Sequence, residues 1–555
     1  MLKFTAPLAN AAWWLAGAPS AAAFEAALAD PARAQERVLR DLLRRNGSTA
    51  YGREHGFADI RNAEQFARRV PPCEYDALHP WVERVRSGEQ NVLTAEPVRR
   101  LVPTSGSTAA RKLIPYTGSM QSELNRAIGP WIFDLYRRHP RATRGPAYWS
   151  VTPVVKQATP EASAVPIGFD DDVEYLGGWR KRLVAAAMAV PPDVASITSI
   201  DDWRYVTLLH LLRRRDLSLL SVWHPSFLEL LLDGLRRDWE TLLHDVSTGG
   251  CAASARLPAE ARASSHARLL RDRANELRGA GPGDVARIWP GLNVVSCWAD
   301  GNAAGAADAL HRRIRTAVLQ PKGLLATEGV VSIPYGGLHP LAVRSHFLEF
   351  EVDGGRVCGA ADLLVGKRYT VLLTTGGGLY RYRLHDLVEV NGRVGRTPSI
   401  RFIGKAASVS DRMGEKLTDG FVGQVLAALF EPGERPSFAM LAPEADSGRW
   451  RYVLYVNAPV DRRQADQLDG MLSENPQYAY CRRLGQLGPA ETTRVPCDAY
   501  GRYADRLRRA GQRMGDIKPA SLSPLDGWSA VFSDMVVPDR FARMLPAKPQ
   551  AQQVN

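Results

Sequence analysis

The sequence predicts an α/β fold: a large multi-sheet N-terminal domain followed by a smaller α+β C-terminal domain. Three observations predict it. The chain has 555 residues, and single hydrophobic cores stop growing at roughly 250–300 residues. Strand-like apolar runs alternate with helical periodicity along most of its length. After Gly414-Glu415-Lys416 the texture changes to short strands and helices in a stretch of independent-domain size. The boundary falls near residues 410–420, giving an N-terminal domain of 1–415 and a C-terminal domain of 416–555.

The elements follow in order. Residues 20–45 and 61–70 carry helical periodicity. Val98 to Pro103 and Leu113-Ile114-Pro115 read as strands around the polar loop Thr104-Ser105-Gly106-Ser107-Thr108. Met120 to Arg138 is helical, Ala147 to Val155 a strand, and Leu208 to Arg215 a helix. Leu217 to Val222 is a strand, followed by a helix from a Ser226 cap to Leu235. Leu292 to Cys297 is a strand, Ala303 to Val318 a helix, and Gly323 to Ala326 a short strand entering a turn. His346 to Val352 and Tyr369 to Thr374 are strands, and Leu379 to Arg383 with Leu387 to Val390 suggest a hairpin-rich sheet. Beyond the boundary, helices at Phe421 to Phe430 and Gln464 to Leu472 bracket strands at Phe438 to Leu441 and Tyr452 to Val456. There is no internal repeat, and the polar tail from Lys548 reads as disordered.

Composition narrows the class. Hydrophobic residues make up 45% and charged residues 23%, which places the chain among ordinary globular proteins. Lys and Arg exceed Asp and Glu by 71 to 59, a net charge of +12. The basic residues are dispersed, and no zinc-finger, RNA-recognition or basic-zipper pattern accompanies the short runs at Arg213 to Arg215 and Arg312-Arg313. Nucleic acid is therefore not the expected partner, whereas a basic surface suits an anionic nucleotide. The six cysteines, Cys73, Cys251, Cys297, Cys358, Cys481 and Cys497, form no CxxC pair and no zinc spacing with His. Reduced, mostly buried thiols in a cytoplasmic protein are expected. Ala11 to Ala23 mimics a signal peptide, but only Lys3 supplies positive charge before it and Pro19 interrupts the apolar run. It reads as part of the N-terminal helices. No stretch approaches the roughly 18 apolar residues of a membrane span.

Five segments carry candidate chemistry, each with an ordinary alternative. The loop Thr104 to Thr108, continuing through Ala109, Ala110, Arg111 and Lys112, can aim backbone N–H groups, hydroxyls and positive charge at a phosphate. It is not a Walker loop, and it reads equally as a surface turn. In Ala326-Thr327-Glu328-Gly329, a carboxylate at a strand end can hold magnesium, which prefers few protein ligands plus phosphate oxygens. An exposed loop glutamate is the alternative. Asp386, closing Leu379-Tyr380-Arg381-Tyr382-Arg383-Leu384-His385, can accept both hydroxyls of a ribose. The alternative is a strand with Arg381 and Arg383 on a charged, exposed face. Arg401-Phe402-Ile403-Gly404-Lys405, with Gly414-Glu415-Lys416, reads as a hinge or as a plain connector. Gly511 to Pro519 presents Lys518 between Gly515 and Pro519, as a site residue or a solvated lysine. No Gly-x-Ser-x-Gly elbow or HExxH motif offers a rival.

Taken in order, these segments resemble the Gretchen Hagen family of acyl acid–amido synthetases, the auxin-responsive promoter family within the adenylate-forming superfamily. The resemblance spans most of the chain. It rests on Thr49 to Arg53, Val92-Leu93-Thr94, Pro103 to Thr117, Ile288-Trp289-Pro290, Ala326-Thr327-Glu328, Tyr380 to Asp386 and Gly414-Glu415-Lys416. It implies an adenylate-forming fold, with ATP and Mg2+ as cofactors. Thr104, Ser105, Gly106, Ser107 and Thr108 are then expected to hold phosphates, with Thr327, Asp386 and Lys405 completing the nucleotide site. Glu328 is expected at the magnesium and phosphate position, and Lys416 and Lys518 as catalytic lysines of a hinge and a mobile C-terminal domain. The chain departs from the family at Ala109-Ala110, where relatives often have Gly and an acidic residue. It departs also at Lys405, in a place usually held by Arg, and at Ala326-Thr327, which replaces a serine-rich pair.

The implied activity is an ATP-dependent ligase that adenylates a carboxylic acid and passes the acyl group to an amine, with an amino acid as acceptor. A carboxylate is a poor electrophile, and joining it to AMP supplies a leaving group. The protein must then neutralise phosphate charge and exclude water from the mixed anhydride. A monomer in the cytoplasm, with neither nucleic acid nor membrane as partner, is expected. Two alternatives remain open: transfer to a thiol of coenzyme A or a carrier protein, and a nucleotide-binding relative without turnover.

Overall fold

Asp30 ends the first helix of the chain and starts the second. In the computed structural model its side chain accepts a hydrogen bond from the Arg33 N–H, and Pro31 fills the first helical position. The periodic stretch 20–45 therefore lies in two helices, Thr5–Ala29 and Pro31–Asn46. The structure describes residues 5–104, 112–149, 163–168, 186–352, 355–405, 409–431, 434–446, 449–496, 498–510, 512 and 517–533.

Thr5–Ala29 belongs to the folded body, as expected for the Ala-rich start. It buries Trp13, Ala21, Phe24 and Leu28. It packs on helix Gly118–Arg138 through small residues: a Cβ on Gly17 would lie 3.3 Å from the Gly129 carbonyl oxygen. That contact aligns Trp13 with Trp149, ring centroids 6.0 Å apart.

A four-stranded parallel sheet stands next to this helix pair. Its order is Ala147–Trp149, Leu219–Ser221, Val294–Cys297, Val318–Pro321. The two central strands are buried at every position, as parallel strands covered on both faces must be. Sequence and structure differ at two neighbours. The helix expected from a Ser226 cap begins at Pro225, because the Nδ1 of His224 accepts the Ser226 N–H at 3.2 Å. The helix expected over Ala303 to Val318 ends at Arg313, and Val318 instead opens the edge strand.

A five-stranded antiparallel sheet forms the second layer, in the order Val357–Gly359, Phe347–Glu351, Arg368–Thr374, Tyr382–Val394, Thr397–Lys405. The sheet is antiparallel throughout, as a hairpin-rich sheet requires, but Leu379 to Arg383 and Leu387 to Val390 are not two separate strands in it. Tyr382–Val394 is one strand, and its turn comes at Gly395, with φ of 59°. Tyr380 and Arg381 are drawn out of the alternation into the core. The Tyr380 hydroxyl donates to the Leu93 carbonyl at 2.7 Å. Arg381, in the left-handed region at φ 47°, pairs with Glu349 at 2.8 Å and donates to the Ala67 and Val70 carbonyls. Arg381 is thus buried, not part of a charged exposed face, and Arg383 is engaged by Glu351 through two hydrogen bonds.

The C-terminal part is α+β, as expected. Ala439–Asp446 pairs antiparallel with Arg449–Val456, which pairs in parallel with Glu491–Arg494. Helices Asp419–Leu429, Arg462–Leu472, Pro476–Arg483 and Ala499–Arg509 cover this sheet and build two cores. One surrounds Leu426, Leu454 and Leu468, and the other surrounds Phe438, Tyr455 and Trp528. Leu230 of the preceding part packs against the second. The five described cysteines are free thiols, Cys358 half-buried and the others buried. Among the described residues no helix is long and apolar enough to cross a membrane.

Candidate active site

Strand pairing creates the first half of the site. Asp386 on Tyr382–Val394 lies opposite Lys405 on Thr397–Lys405, and the Lys405 Nζ sits 2.7 Å from the Asp386 Oδ1. Asp386 is buried. Burial disfavours the Lys405 ammonium, but Asp386 and Glu328 outweigh it and hold the lysine above its ordinary pKa. Glu328 occupies, with Thr327, the tight turn between Leu325–Ala326 and Gly329–Val330. Burial pushes its carboxyl above the usual glutamate range, Lys405 pulls it down, Asp386 raises it, and Lys112 pulls it down. The structure therefore brings Asp386, Lys405, Glu328 and Lys112 into one electrostatic cluster.

Lys112 leads back to the Ser/Gly/Thr loop. Strands Arg100–Pro103 and Leu113–Tyr116 pair antiparallel, and the Thr104 N–H donates to the Lys112 carbonyl at 3.0 Å. That bond closes the base of the loop. The Lys112 Nζ hydrogen-bonds the Tyr382 hydroxyl at 3.3 Å, placing the loop's exit beside the strand that carries Asp386. Ser105, Gly106, Ser107 and Thr108, with Ala109, Ala110 and Arg111, lie outside the described residues.

The two expected lysines of the C-terminal part are placed differently. Lys416 is exposed with φ 46°, and no described contact brings its side chain to Glu328 or Asp386. Its neighbour Glu415 is buried and accepts the N–H groups of Arg412 and Met413 and the Tyr452 hydroxyl, which ties the turn to the C-terminal sheet. Where the two parts meet, Gly404 approaches Gly420 so closely that a Cβ would fall 2.8 Å from the Gly420 Cα. Lys518 reaches across to the N-terminal part. Its Nζ lies 3.7 Å from the ring centroid of Trp298, and its carbonyl accepts the Tyr503 hydroxyl at 2.8 Å. His224 stacks on Tyr500 of the C-terminal part, centroids 5.9 Å apart. Burial and the Lys518 charge push its pKa down to about 3, so its imidazole is neutral.

Trp298 marks a second half of the site that sequence reasoning missed: the carboxyl edge of the parallel sheet. Trp149, Ser221, Ser296 and Gln320 are register partners in one row across the four strands. Trp223, Trp298 and Lys322 each follow a row member by two positions, which puts them on the same face. The ladder continues there, with the Trp298 N–H donating to the Trp223 carbonyl at 2.8 Å. Helix Gly118–Arg138 covers this face, its Trp131 indole N–H donating to the Gln320 side-chain oxygen at 3.1 Å. Open parallel sheets bind ligands outside the carboxyl ends of their strands. That rule, applied to the strands expected at Leu217 to Val222 and Leu292 to Cys297, was the available signal.

Among the described residues no group of three or more His, Cys, Asp or Glu side chains could hold a metal on its own. A single carboxylate is a donor set suited to magnesium, which takes most of its ligands from phosphate and water.

Comparison with known proteins agrees with this architecture. Models of the GH3 family N-terminal, central and C-terminal domains match residues 20–316, 340–405 and 427–524, in that order. A probable indole-3-acetic acid-amido synthetase, GH3.12 of Oryza sativa subsp. japonica, is 24% identical over 90% of this chain and 93% of its own. Indole-3-acetic acid-amido synthetase GH3.3 of Arabidopsis thaliana is 23% identical over 76% of each chain. The solved structure of the AtGH3.15 acyl acid amido synthetase in complex with 2,4-DB superposes with a TM-score of 0.80 at 18% identity, covering 93% of this chain and 96% of that one. The first family model alone spans more than half of the sequence, and the three together run through both parts of the fold. The chain belongs to the GH3 family.

Proposed function

We propose that the protein is an ATP-dependent ligase that adenylates a carboxylic acid and passes the acyl group to an amine, with an amino acid as acceptor. One observation carries this reading: the Asp386–Lys405 pair, the Glu328 turn and Lys112 at the foot of the hydroxyl-rich loop come together in one electrostatic cluster. The printed names of the relatives, amido synthetases, support it.

In this reading Thr104 to Thr108 wrap the phosphates with backbone N–H groups and hydroxyls, and Lys405 and Lys112 offset their charge. Asp386 accepts the ribose hydroxyls, and Thr327 borders the nucleotide. Glu328 holds magnesium through its carboxylate, and the ion when bound neutralises phosphate charge. A carboxylate oxygen of the acid attacks the α-phosphorus, the bond to the β-phosphate breaks, and pyrophosphate leaves. Lys518, delivered by the C-terminal part, stabilises charge that develops on the reacting groups. The amine then attacks the acyl carbon, the bond to AMP breaks, and the amine gives up a proton. Lys416 takes the position of Lys518 in a second orientation of the C-terminal part. We place the protein in the cytoplasm, where ATP and free amino acids are at hand, as a monomer.

An acid-by-amine screen with ATP and Mg2+, read by mass spectrometry, tests the proposal. Amide products support it. Thioester products with coenzyme A, or nucleotide binding without any product, would replace it with another activity.

The same reading assigns residues 1–415 to a nucleotide- and acid-binding domain and 416–555 to a mobile domain. Limited proteolysis is expected to cut within residues 405–420, and ATP is expected to change the cutting rate. A junction that resists protease equally with and without ATP excludes a mobile domain.

A further inference from the structure

Lys322 is a buried lysine with an unusual environment. It is 5% exposed. Its Nζ donates to the Ser221 hydroxyl at 3.0 Å and lies 4.4 Å from the ring centroid of Trp223, 5.5 Å from that of Trp131 and 6.0 Å from that of Trp149. Among the described residues it has no carboxylate partner. A lysine ammonium carries three donors, and one hydroxyl satisfies one of them. Burying it costs free energy that ring faces offset only in part, since a cation–π contact contributes about 0.5–2 kcal/mol. Burial accordingly pulls the Lys322 pKa down to about 7, against a small upward pull from Cys297.

A second observation lies in the adjacent row of the sheet. The Ser296 hydroxyl, 2% exposed and the register partner of Ser221, makes no hydrogen bond among the described residues. A buried donor left unmade costs about 1–3 kcal/mol. Lys322, among three indoles, and Ser296, in the row that Ser221 and Gln320 share, are thus two under-satisfied polar groups at the edge of a parallel sheet where ligands bind. Trp223 packs on Trp298, centroids 5.4 Å apart, and Trp298 carries Lys518 on its ring. The buried lysine and the proposed catalytic lysine therefore share one aromatic pair.

We propose that Lys322 is the residue that selects the acid, by binding an anionic group at the end of a planar, aromatic substrate remote from the carboxyl that is activated. The direction of binding rests on the ligase reading, because Lys518 serves the reacting carboxyl and Lys322 lies deeper. The indoles hold the ring by stacking, and Lys322 and Ser296 supply the missing donors to its far end. Binding keeps the lysine protonated, as an opposite charge in a poorly solvated site requires. A site built around such a pair rejects the analogue that lacks the anion, because its own polar groups are then left unpaired. The competing account is a lysine that only fills the space between tryptophans.

The test titrates the full-length protein with benzoate, 4-methylbenzoate, isophthalate and terephthalate, following tryptophan fluorescence. At least one of the two dicarboxylates is expected to bind ten or more times tighter than 4-methylbenzoate, and Lys322→Met is expected to abolish or invert that preference. The wild-type ranking needs no variant: equal or weaker binding of both dicarboxylates overturns the proposal. So does a folded Lys322→Met protein that keeps the wild-type ranking, with Lys322→Gln as the replacement if the Met variant does not fold. Pyrophosphate exchange with the same acids separates the two readings. A Lys322-dependent preference in binding, with no exchange for any acid, removes the ligase activity alone. Exchange with a ranking indifferent to Lys322 removes this inference alone.

Discussion

Lys518→Ala is expected to slow acid-dependent pyrophosphate exchange about 10²–10³-fold, the loss that follows removal of one preorganised donor to developing charge. The ammonium lies 3.7 Å from the Trp298 ring centroid and belongs to a segment otherwise held by the C-terminal part, through the Tyr503 hydroxyl on its carbonyl. The side chain thus crosses from one part of the molecule to the carboxyl edge of the parallel sheet in the other. A structural account gives it an exposed cation–π contact, and alanine then costs about 0.5–1 kcal/mol of stability and little activity. The functional account expects the same small stability loss with a large loss of exchange. It also expects amide formation from supplied acyl-AMP and amine to be much less affected. Lys416→Ala is expected to show the reverse division, because its side chain makes no described contact with the site in this arrangement. Wild-type exchange in Lys518→Ala, with loss in Lys416→Ala, moves the first-step role to Lys416.

Local patterns carried much of the fold. The strand–loop–strand at Arg100 to Tyr116 is readable because a hydroxyl-rich segment separates two apolar runs, and the backbone pairs the two strands antiparallel. The short strands and helices read beyond Lys416 build the cores around Leu454 and Tyr455. Expectations failed where distant contacts overrode the local pattern. Leu379 to Arg383 alternates like a strand, yet Tyr380 and Arg381 leave the ladder to satisfy partners at Leu93, Glu349 and Ala67. Ser226 has the composition of a cap, yet the extended residue before the helix is His224.

The site divides in the same way. Asp386, Lys405, Glu328 and Lys112 come from motifs that are each visible alone, and the folded chain assembles them. The cluster around Lys322 has no local signature. Its tryptophans come from a helix at Trp131 and strand ends at Trp149 and Trp223, and only the strand order of the sheet makes them neighbours. A lysine after a proline in Gln320-Pro321-Lys322 looks solvated in one dimension. Its burial is a property of the sheet register.

Asp386→Ala is expected to weaken nucleotide binding about 10²-fold. Hydrogen bonds to a charged group contribute about 1.5–3 kcal/mol each, and a carboxylate accepting two ribose hydroxyls loses both; each 1.4 kcal/mol is tenfold in affinity. The competing account is that Asp386 only anchors Lys405, whose Nζ lies 2.7 Å from it. That account also lowers affinity, by releasing a cation from the phosphates, so the loss alone does not separate the two. Discrimination between ribose hydroxyls does. Wild-type protein is expected to bind ATP far more tightly than 2′,3′-dideoxy-ATP, and Asp386→Ala is expected to bind both alike. Lys405→Met removes the cation while keeping the carboxylate, so it is expected to weaken both nucleotides by the same factor. Asp386 is buried and Lys405 is its neighbour in the ladder, so each variant is first checked for native thermal unfolding. If a folded Asp386→Ala protein still prefers ATP over the dideoxy analogue by the wild-type ratio, the ribose hydroxyls are held elsewhere and Asp386 serves only to position Lys405.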